Sequence, residues 1–468
     1  MQLTPTFHSL LLQFRSVFTV PTFATFLTLT TGWCLSCRRR YVTELIESAG
    51  AVHNGHHSRY HRFFSDAAWL IDDLYELLAR DAVRTFSPEG VIQLGVDDTL
   101  CHRRGLTIFG TGMHHDPLIS SRKQPHVSWG HNWVILSLLV PNPPWAPTKV
   151  WALPVGMRLY RNRQGLTKGK AQETKTKTKG KGKAKAKRGK KNAADPNHRT
   201  RPELAVELIH QFAARFPDRE VVVSGDSAYG GKSVLQHLPE NVGLISRVAS
   251  NAALYEPAPP PQPNRKGAPR KKGNRLPSMA DWAADETKPY TMLTFDQYGL
   301  HATLRIKAMR ALYYKAGKNR LLTIVLVRDT EGGRPDQMFY CTRLDWDAAA
   351  ILSHYAARWS VEVMHFNAKQ MMGLEDPANR KPGAVERTAP VGLALYGLTL
   401  IWFHRDGRRS LVFPDRPWYA DKEEPSYADI LSALRRETWR GHFAGVDWGG
   451  GDQETPFAQL VEFASRVA

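Results

Sequence analysis

Three short apolar runs, VIQLGVDD, HNWVILSLLV and KVWALPVGMRLY, begin at Val91 and are bounded by Gly or Pro; a fourth, in REVVVSGDSAYGG, ends in a glycine-rich turn. Segments of this length and composition predict β-strands. Before the fourth lies RPELAVELIHQFAARF, whose apolar spacing predicts an amphipathic helix. Three strands, a helix and a further strand predict an α/β layer rather than a β-sandwich.

Two of these strands end on acids, at Asp97 or Asp98 in GVDDT and at Asp226 in SGDSAYG. A carboxylate at the C-terminal tip of a core strand is held rigidly yet can face a cleft. Taken singly, either acid could serve a strand end or turn, where Asp is favoured. The glycine-rich turn after Asp226 could also bind phosphate at a helix N-terminus. It lacks the spacing of a nucleotide-binding P-loop.

A third acid comes from YAARWSVEVMHFNAK, residues 355–369, which reads as one helix continuing WDAAAILSH. On such a helix Tyr355, Arg358, Glu362 and Lys369 fall within a sector of about 60° over about 21 Å. The plain interpretation is a solvated face with Arg358 and Glu362 as an i,i+4 pair. The sharper one is a helix laid along a phosphate backbone, its one acid kept for a metal. Three carboxylates from three distant segments can hold two divalent ions on hard oxygen ligands, and two such ions can cleave a phosphodiester.

The charge agrees with a polyanionic partner. The formal net charge is +20 over 468 residues, which favours nucleic acid first and an acidic membrane surface second. Leu166 to Lys191 holds eleven lysines and Arg188 against Glu173 alone; without that tract the charge is still +9. A tract of this composition is expected to be disordered and solvated, either a solubilising loop or a salt-sensitive clamp on DNA, of which the clamp is preferred.

Cys34, Cys37, Cys101 and Cys341 are too few and scattered for a disulfide-stapled fold, which suits a reducing cytoplasm. CLSC has zinc-ligand spacing but no second pair at finger distance. Ser16–Cys37 is uncharged, yet its six threonines, Pro21 and Gly32 suit soluble core, and Pro390–Phe403 is too short to span a bilayer. No membrane association is expected.

Five regions are expected along the chain. Residues 1–88 should form a helical DNA-binding domain, with Ser65 as the N-cap of SDAAWLIDDLYELLARDAVRTF. Residues 89–250 should form the first part of a catalytic core, interrupted by the Lys-rich insertion at 166–195. Residues 251–345 combine a Pro/Gly/Lys linker with a β-rich block, in which Thr303, Arg305 and Lys307 alternate with Leu304, Ile306 and Ala308. That alternation predicts one cationic and one apolar side. Residues 346–405 should complete the core, and 406–468 should form a mainly helical region suited to dimerisation.

The spacing from Tyr355 to Arg358, Glu362 and Lys369, together with VDDT and GDSAYG, resembles the DDE transposases of bacterial insertion sequences. Within these it is similar to the "insertion sequence four" superfamily with its Tyr-Arg-Glu-Lys motif. The likeness runs from about Val91 to Trp402, and the lysine-rich insertion departs from the core pattern. It implies an RNase H-like mixed sheet flanked by helices and interrupted by a β-rich insertion. It also implies Mg2+-dependent cut-and-paste transposition, with two ions for which Mn2+ should substitute. Water cuts a strand at the transposon end, the freed 3′-OH forms a hairpin on the opposite strand, and the reopened end joins target DNA.

Carried over by motif, Asp97, Asp226 and Glu362 would be the catalytic, metal-binding residues. Tyr355, Arg358 and Lys369 would contact phosphates. Asp97 is preferred to Asp98 because it shares a strand face with Gly95 and Gln93, and because Asp97 and Thr99 resemble the Asp-x-Thr of the family. Arg305 and Lys307 are further candidates for DNA contact, and Trp282, Tyr313 and Tyr314 are candidates for stacking an extruded base. The expected partner is double-stranded DNA, as terminal inverted repeats and target, bound by a homodimer in the bacterial cytoplasm on nucleoid DNA. The rival functions are an inactive DNA-binding regulator of the same fold and a metal-dependent nuclease without strand transfer.

Overall fold

A computed structural model describes residues 2–121, 123–162, 198–260, 268–297, 300–330 and 333–444, with 460, 461, 464 and 465. The lysine-rich tract lies outside the described residues. Five helices come first: α1 (Pro5–Leu12), α2 (Val20–Leu35), α3 (Val42–Ser48), α4 (Ser58–Ser65) and α5 (Ile71–Phe86). Strands β1 (Ile92–His102), β2 (Gly112–His115), β3 (Val127–Pro141) and β4 (Val150–Tyr160) follow. After the tract come α6 (Arg201–Arg215), β5 (Val221–Gly225), α7 (Lys232–Leu235) and β6 (Val242–Val248). Next are α8 (Met279–Ala284), β7 (Thr291–Gln297), β8 (Leu300–Leu312), α9 (Tyr314–Gly317), β9 (Leu321–Asp329) and β10 (Gln337–Cys341). The chain continues through α10 (Ala348–Ala357), α11 (Trp359–Met371), α12 (Pro382–Arg405) and α13 (Tyr427–Phe443).

Among the described residues all ten strands belong to one mixed sheet, ordered β2-β3-β1-β5-β6-β10-β9-β8-β7, with β4 also paired to β3. The pairs β1–β5 and β5–β6 are parallel and the rest antiparallel. The central strands are continuously apolar because helices cover both faces; β5 is buried at every position. This mixed α/β sheet flanked by helices is consistent with an RNase H-like DDE fold.

The N-terminal helices are not set apart from the sheet. Side chains of α1, α2, α5, β1, β3, β4, α6, α12 and α13 share one apolar core. Polar contacts knit the same elements: Trp33 Nε1 donates to the Met372 carbonyl at 2.9 Å, Tyr75 Oη to the Pro390 carbonyl at 3.0 Å and Arg435 Nε to the Cys34 carbonyl at 2.8 Å. A buried arginine is tolerable where its donors find carbonyls in this way.

The structure changes the expected elements in three places. Strand β1 does not end on its acids: it stays paired with β3 as far as His102, so Asp97 and Asp98 are mid-strand. Ser65 does not cap α5; it ends α4, and its hydroxyl donates to the His61 carbonyl at 3.3 Å. The stripe helix is two helices, α10 and α11, meeting at Arg358. At the junction the hydrogen bonds tighten to an i→i−3 pattern, Arg358 N to Tyr355 O at 3.2 Å and Val361 N to Arg358 O at 2.9 Å. Among the described residues no helix is long and apolar enough to cross a membrane.

Candidate active site

The two aspartate-bearing strands lie side by side. In the parallel β1–β5 pairing Val96 is opposite Gly225, so Asp97 and Asp226 are the next residue along each chain. Helix α11 closes over this end because Gly95 has no side chain: a Cβ there would stand 2.7 Å from Val361 Cγ2. Val361 precedes Glu362, so that close approach carries the third acid toward Asp97, which lies in the middle of β1 and not at the expected strand tip, just beyond the point where the β5 pairing stops.

Arg358 joins the set. Its Nη1 lies 3.1 Å from Asp97 Oδ2 and its Nη2 3.1 Å from Glu362 Oε1, and it interacts electrostatically with Asp226. Burial works against its charge, but Tyr355, Asp97, Glu362 and Asp226 outweigh that and raise its pKa above the ordinary value. Asp97 Oδ1 accepts from the Asp98 amide at 2.8 Å. Even so, burial pushes the Asp97 carboxyl up to about 7, with Arg358 and the Asp98 N–H opposing and the charges of Asp98 and Asp226 adding to the rise.

Asp98 faces a different set of partners. Its Oδ1 accepts from Tyr229 Oη at 2.7 Å, and its Oδ2 from Asn132 Nδ2 and Arg201 Nη1, each at 2.7 Å. These bonds tie β1, β3, the start of α6 and the turn after Asp226 into one network. That turn is fixed further: Ala228 N donates to Asp226 Oδ1 at 2.9 Å, Ser246 Oγ to the Asp226 carbonyl at 2.7 Å and Tyr340 Oη to the Gly230 carbonyl at 2.9 Å. The DD doublet and the Tyr of GDSAYG were visible in the sequence, but their mutual bond joins residues 131 apart.

Tyr355 packs on Phe339 with ring centroids 4.6 Å apart, and Arg358 lies 5.6 Å over its ring. Burial raises the Tyr355 pKa, with Arg358 opposing. Lys369 Nζ donates to the Leu100 carbonyl at 2.6 Å and lies 3.6 Å from Glu375. Of the four stripe residues, Arg358 and Lys369 therefore contact β1 directly, Glu362 is joined to it through Arg358, and Tyr355 packs on β10. His365, one turn after Glu362, was not singled out by the sequence pattern. It is buried, its Nε2 has no hydrogen-bond partner, and burial with Lys369 and Arg358 lowers its pKa to about 3 despite Asp98.

The structure disperses two other candidates. Lys307 is buried; its ammonium donates to the Trp282 and Asp285 carbonyls at 2.9 and 2.7 Å and lies 4.3 Å over the Tyr290 ring. A lysine so engaged has no donor turned to a phosphate, which corrects the expected cationic side of β8. Trp282 is buried on α8 and belongs to the apolar core, so it offers no open ring to an extruded base. Arg305 is exposed on β8. Tyr313 packs against the core, and Tyr314 lies under Lys272 at 5.1 Å.

Among the described residues no three His, Cys, Asp or Glu side chains stand close enough together to share a metal ion. The donor chemistry nevertheless suits a hard divalent cation: carboxylate oxygens of Asp97 and Glu362 already converge on the positive charge of Arg358, and Asp97 is buried.

Residues 13–315 match the model of a family described as "DDE superfamily endonuclease". The match includes Asp97 and Asp226 and ends before Glu362. No curated protein matches the chain.

Proposed function

Given that the chain belongs to the DDE superfamily endonuclease family, whose substrate is DNA, we propose that it is a cut-and-paste transposase of the "insertion sequence four" type. Asp97, Asp226 and Glu362 would hold two Mg2+ ions, with Mn2+ able to substitute. The observation that carries this reading is the meeting of Asp97 and Glu362 on Arg358 beside Asp226. With the cations bound, the site supplies activation of water and stabilisation of the leaving oxygen.

Arg358 then turns from neutralising carboxylates to holding the phosphate in line, and Lys369 and Tyr355 flank the same phosphate. Asp98, with Tyr229, Asn132 and Arg201, keeps the two aspartate-bearing segments in register. The N-terminal helices read terminal inverted repeats, and a homodimer pairs two ends before the freed 3′-OH attacks the opposite strand to form a hairpin; water reopens the hairpin, and the regenerated 3′-OH joins target DNA. This takes place on nucleoid DNA in the bacterial cytoplasm.

The test is to incubate purified protein with Mg2+ and DNA carrying the inverted repeats that flank its reading frame. Hairpin ends and joined products support the transposase. Nicked or cut DNA without joining identifies a nuclease, and binding without cleavage identifies a regulator of the same fold.

A further inference from the structure

The turn from β2 to β3 presents apolar residues to solvent on an ordered base. Pro117 is exposed, and Leu118 and Ile119 are 80% and 59% exposed. Asp116, beneath them, is 2% exposed and its amide donates to the His126 carbonyl at 3.0 Å. Its carboxylate accepts from the Leu118 amide at 3.2 Å and from Ser128 Oγ at 2.7 Å. Ser120 and His126 exchange two further bonds, Oγ to carbonyl at 3.2 Å and amide to Oγ at 2.9 Å. Single exposed apolar residues need no explanation. Three in succession on a turn fastened in this way do.

Two further observations indicate what they meet. From Arg103 to Arg158 the only acid in the sequence is Asp116, which is buried, whereas Lys123 and His126 beside the tip are exposed. The surroundings therefore suit a polyanion. The turn is also continuous with the candidate active site: Lys369 lies 3.6 Å from Glu375 Oε1, which lies 3.4 Å from His102 Nδ1, and His102 Nε2 lies 2.8 Å from Asp116 Oδ2. His102 closes β1, the strand of Asp97.

We propose that Pro117, Leu118 and Ile119 form a wedge inserted between base steps of duplex DNA beside the cleavage point, an inference that rests on the DNA-acting function above. Apolar wedges of these residue types partly unstack a base step and bend the helix. Lys123 and His126 would lie along the adjoining phosphates, and the links through Asp116, His102 and Glu375 would hold the unstacked step at a fixed distance from the carboxylates.

The experiment uses the full chain and a relaxed, closed circular plasmid with topoisomerase I, without divalent metal so that no strand is cut. Linking number is read on a gel, and affinity and sedimentation are measured alongside. Wild type should change the linking number in proportion to bound protein. Leu118→Ala/Ile119→Ala should keep its affinity within about threefold and lose about two-thirds or more of that change. Both side chains face solvent, so thermal melting should be unaltered.

Binding by wild type without a change in linking number overturns the wedge alone. So does a double variant that retains the change, or one whose only alteration is its oligomeric state. Absence of any plasmid binding by wild type overturns the wedge together with the function it rests on.

Discussion

The hydroxyl of Tyr229 donates to Oδ1 of Asp98 at 2.7 Å, fastening the turn that carries Asp226 to the strand that carries Asp97. A buried hydrogen bond to a carboxylate is worth about 1.5–3 kcal/mol. Tyr229→Phe should lose about that much stability in urea unfolding and slow cleavage by the protein that remains folded. Asp98→Asn should destabilise the protein because Arg201 loses its charged partner, whereas Asp97→Asn should abolish cleavage with the fold intact. Cleavage retained by Asp97→Asn and abolished by Asp98→Asn would reverse the assignment of the two.

The Asp97 carboxyl, raised to about 7 by burial, gives the metal-free protein a particular pH dependence. A folded-state pKa above the unfolded value of about 3.9 means that the native state keeps this proton longer. The group's contribution to stability is complete below about pH 4 and is lost as pH rises through about 7, with a ceiling of about 4 kcal/mol. In EDTA, melting curves from pH 5 to 8 should favour Asp97→Asn increasingly over wild type. Parallel curves would rule this out. Divalent-metal binding should conversely weaken below about pH 7, where metal and proton compete for the same oxygens.

Metal binding can be observed without turnover. At Mg2+ a hundredfold above its dissociation constant, linkage stabilises the native state by about 2.7 kcal/mol. Calorimetric melting of wild type should shift upward with Mg2+ and with Mn2+. Glu362→Gln should remove most of that shift while keeping the Arg358 contact in amide form, and an equal shift in both proteins would exclude Glu362 as a ligand.

Lys307 and Trp282 should behave as structural residues. Lys307→Met leaves the Trp282 and Asp285 carbonyls without their donor, at a cost of about 1–3 kcal/mol each if they stay dry. Trp282→Ala should cost about 3–5 kcal/mol as a buried aromatic. Neither should alter the salt dependence of DNA affinity, which fluorescence anisotropy at several salt concentrations measures. Arg305→Ala, at an exposed position, should reduce the slope by about one phosphate contact.

Deleting residues 168–191 removes eleven lysines and Arg188. Each phosphate contact contributes about 0.9 to the slope of log affinity against log salt. The deletion should therefore flatten that slope by several units in the same anisotropy series, and an unchanged slope would show that the tract does not touch DNA.

The sequence announced its strands where they are buried on both faces, since β1, β3, β4 and β5 are near-continuous apolar runs. It concealed β2 and β7, strands of four and seven residues at the two ends of the sheet order, because short edge strands carry little hydrophobic signal. The acids were legible because each stands at the end of a recognisable run or at motif spacing. Their surroundings were not. The bond between Tyr229 and Asp98, and the closure of α11 that Gly95 permits, join residues distant in sequence. Lys307 misled for a related reason: alternation assigns it to a polar face, but its long stem lets the ammonium reach carbonyls inside.

Strand β10 pairs with β6 on one side and with β9 on the other, so the block following the proline-rich segment shares a single ladder with the strands bearing Asp97 and Asp226. A duplex laid across both would meet one twisted surface with no hinge beneath it. A DNA contact on β8, as proposed for Arg305, would then be gauged from Asp97 in whole strand spacings of about 4.8 Å, a built-in ruler.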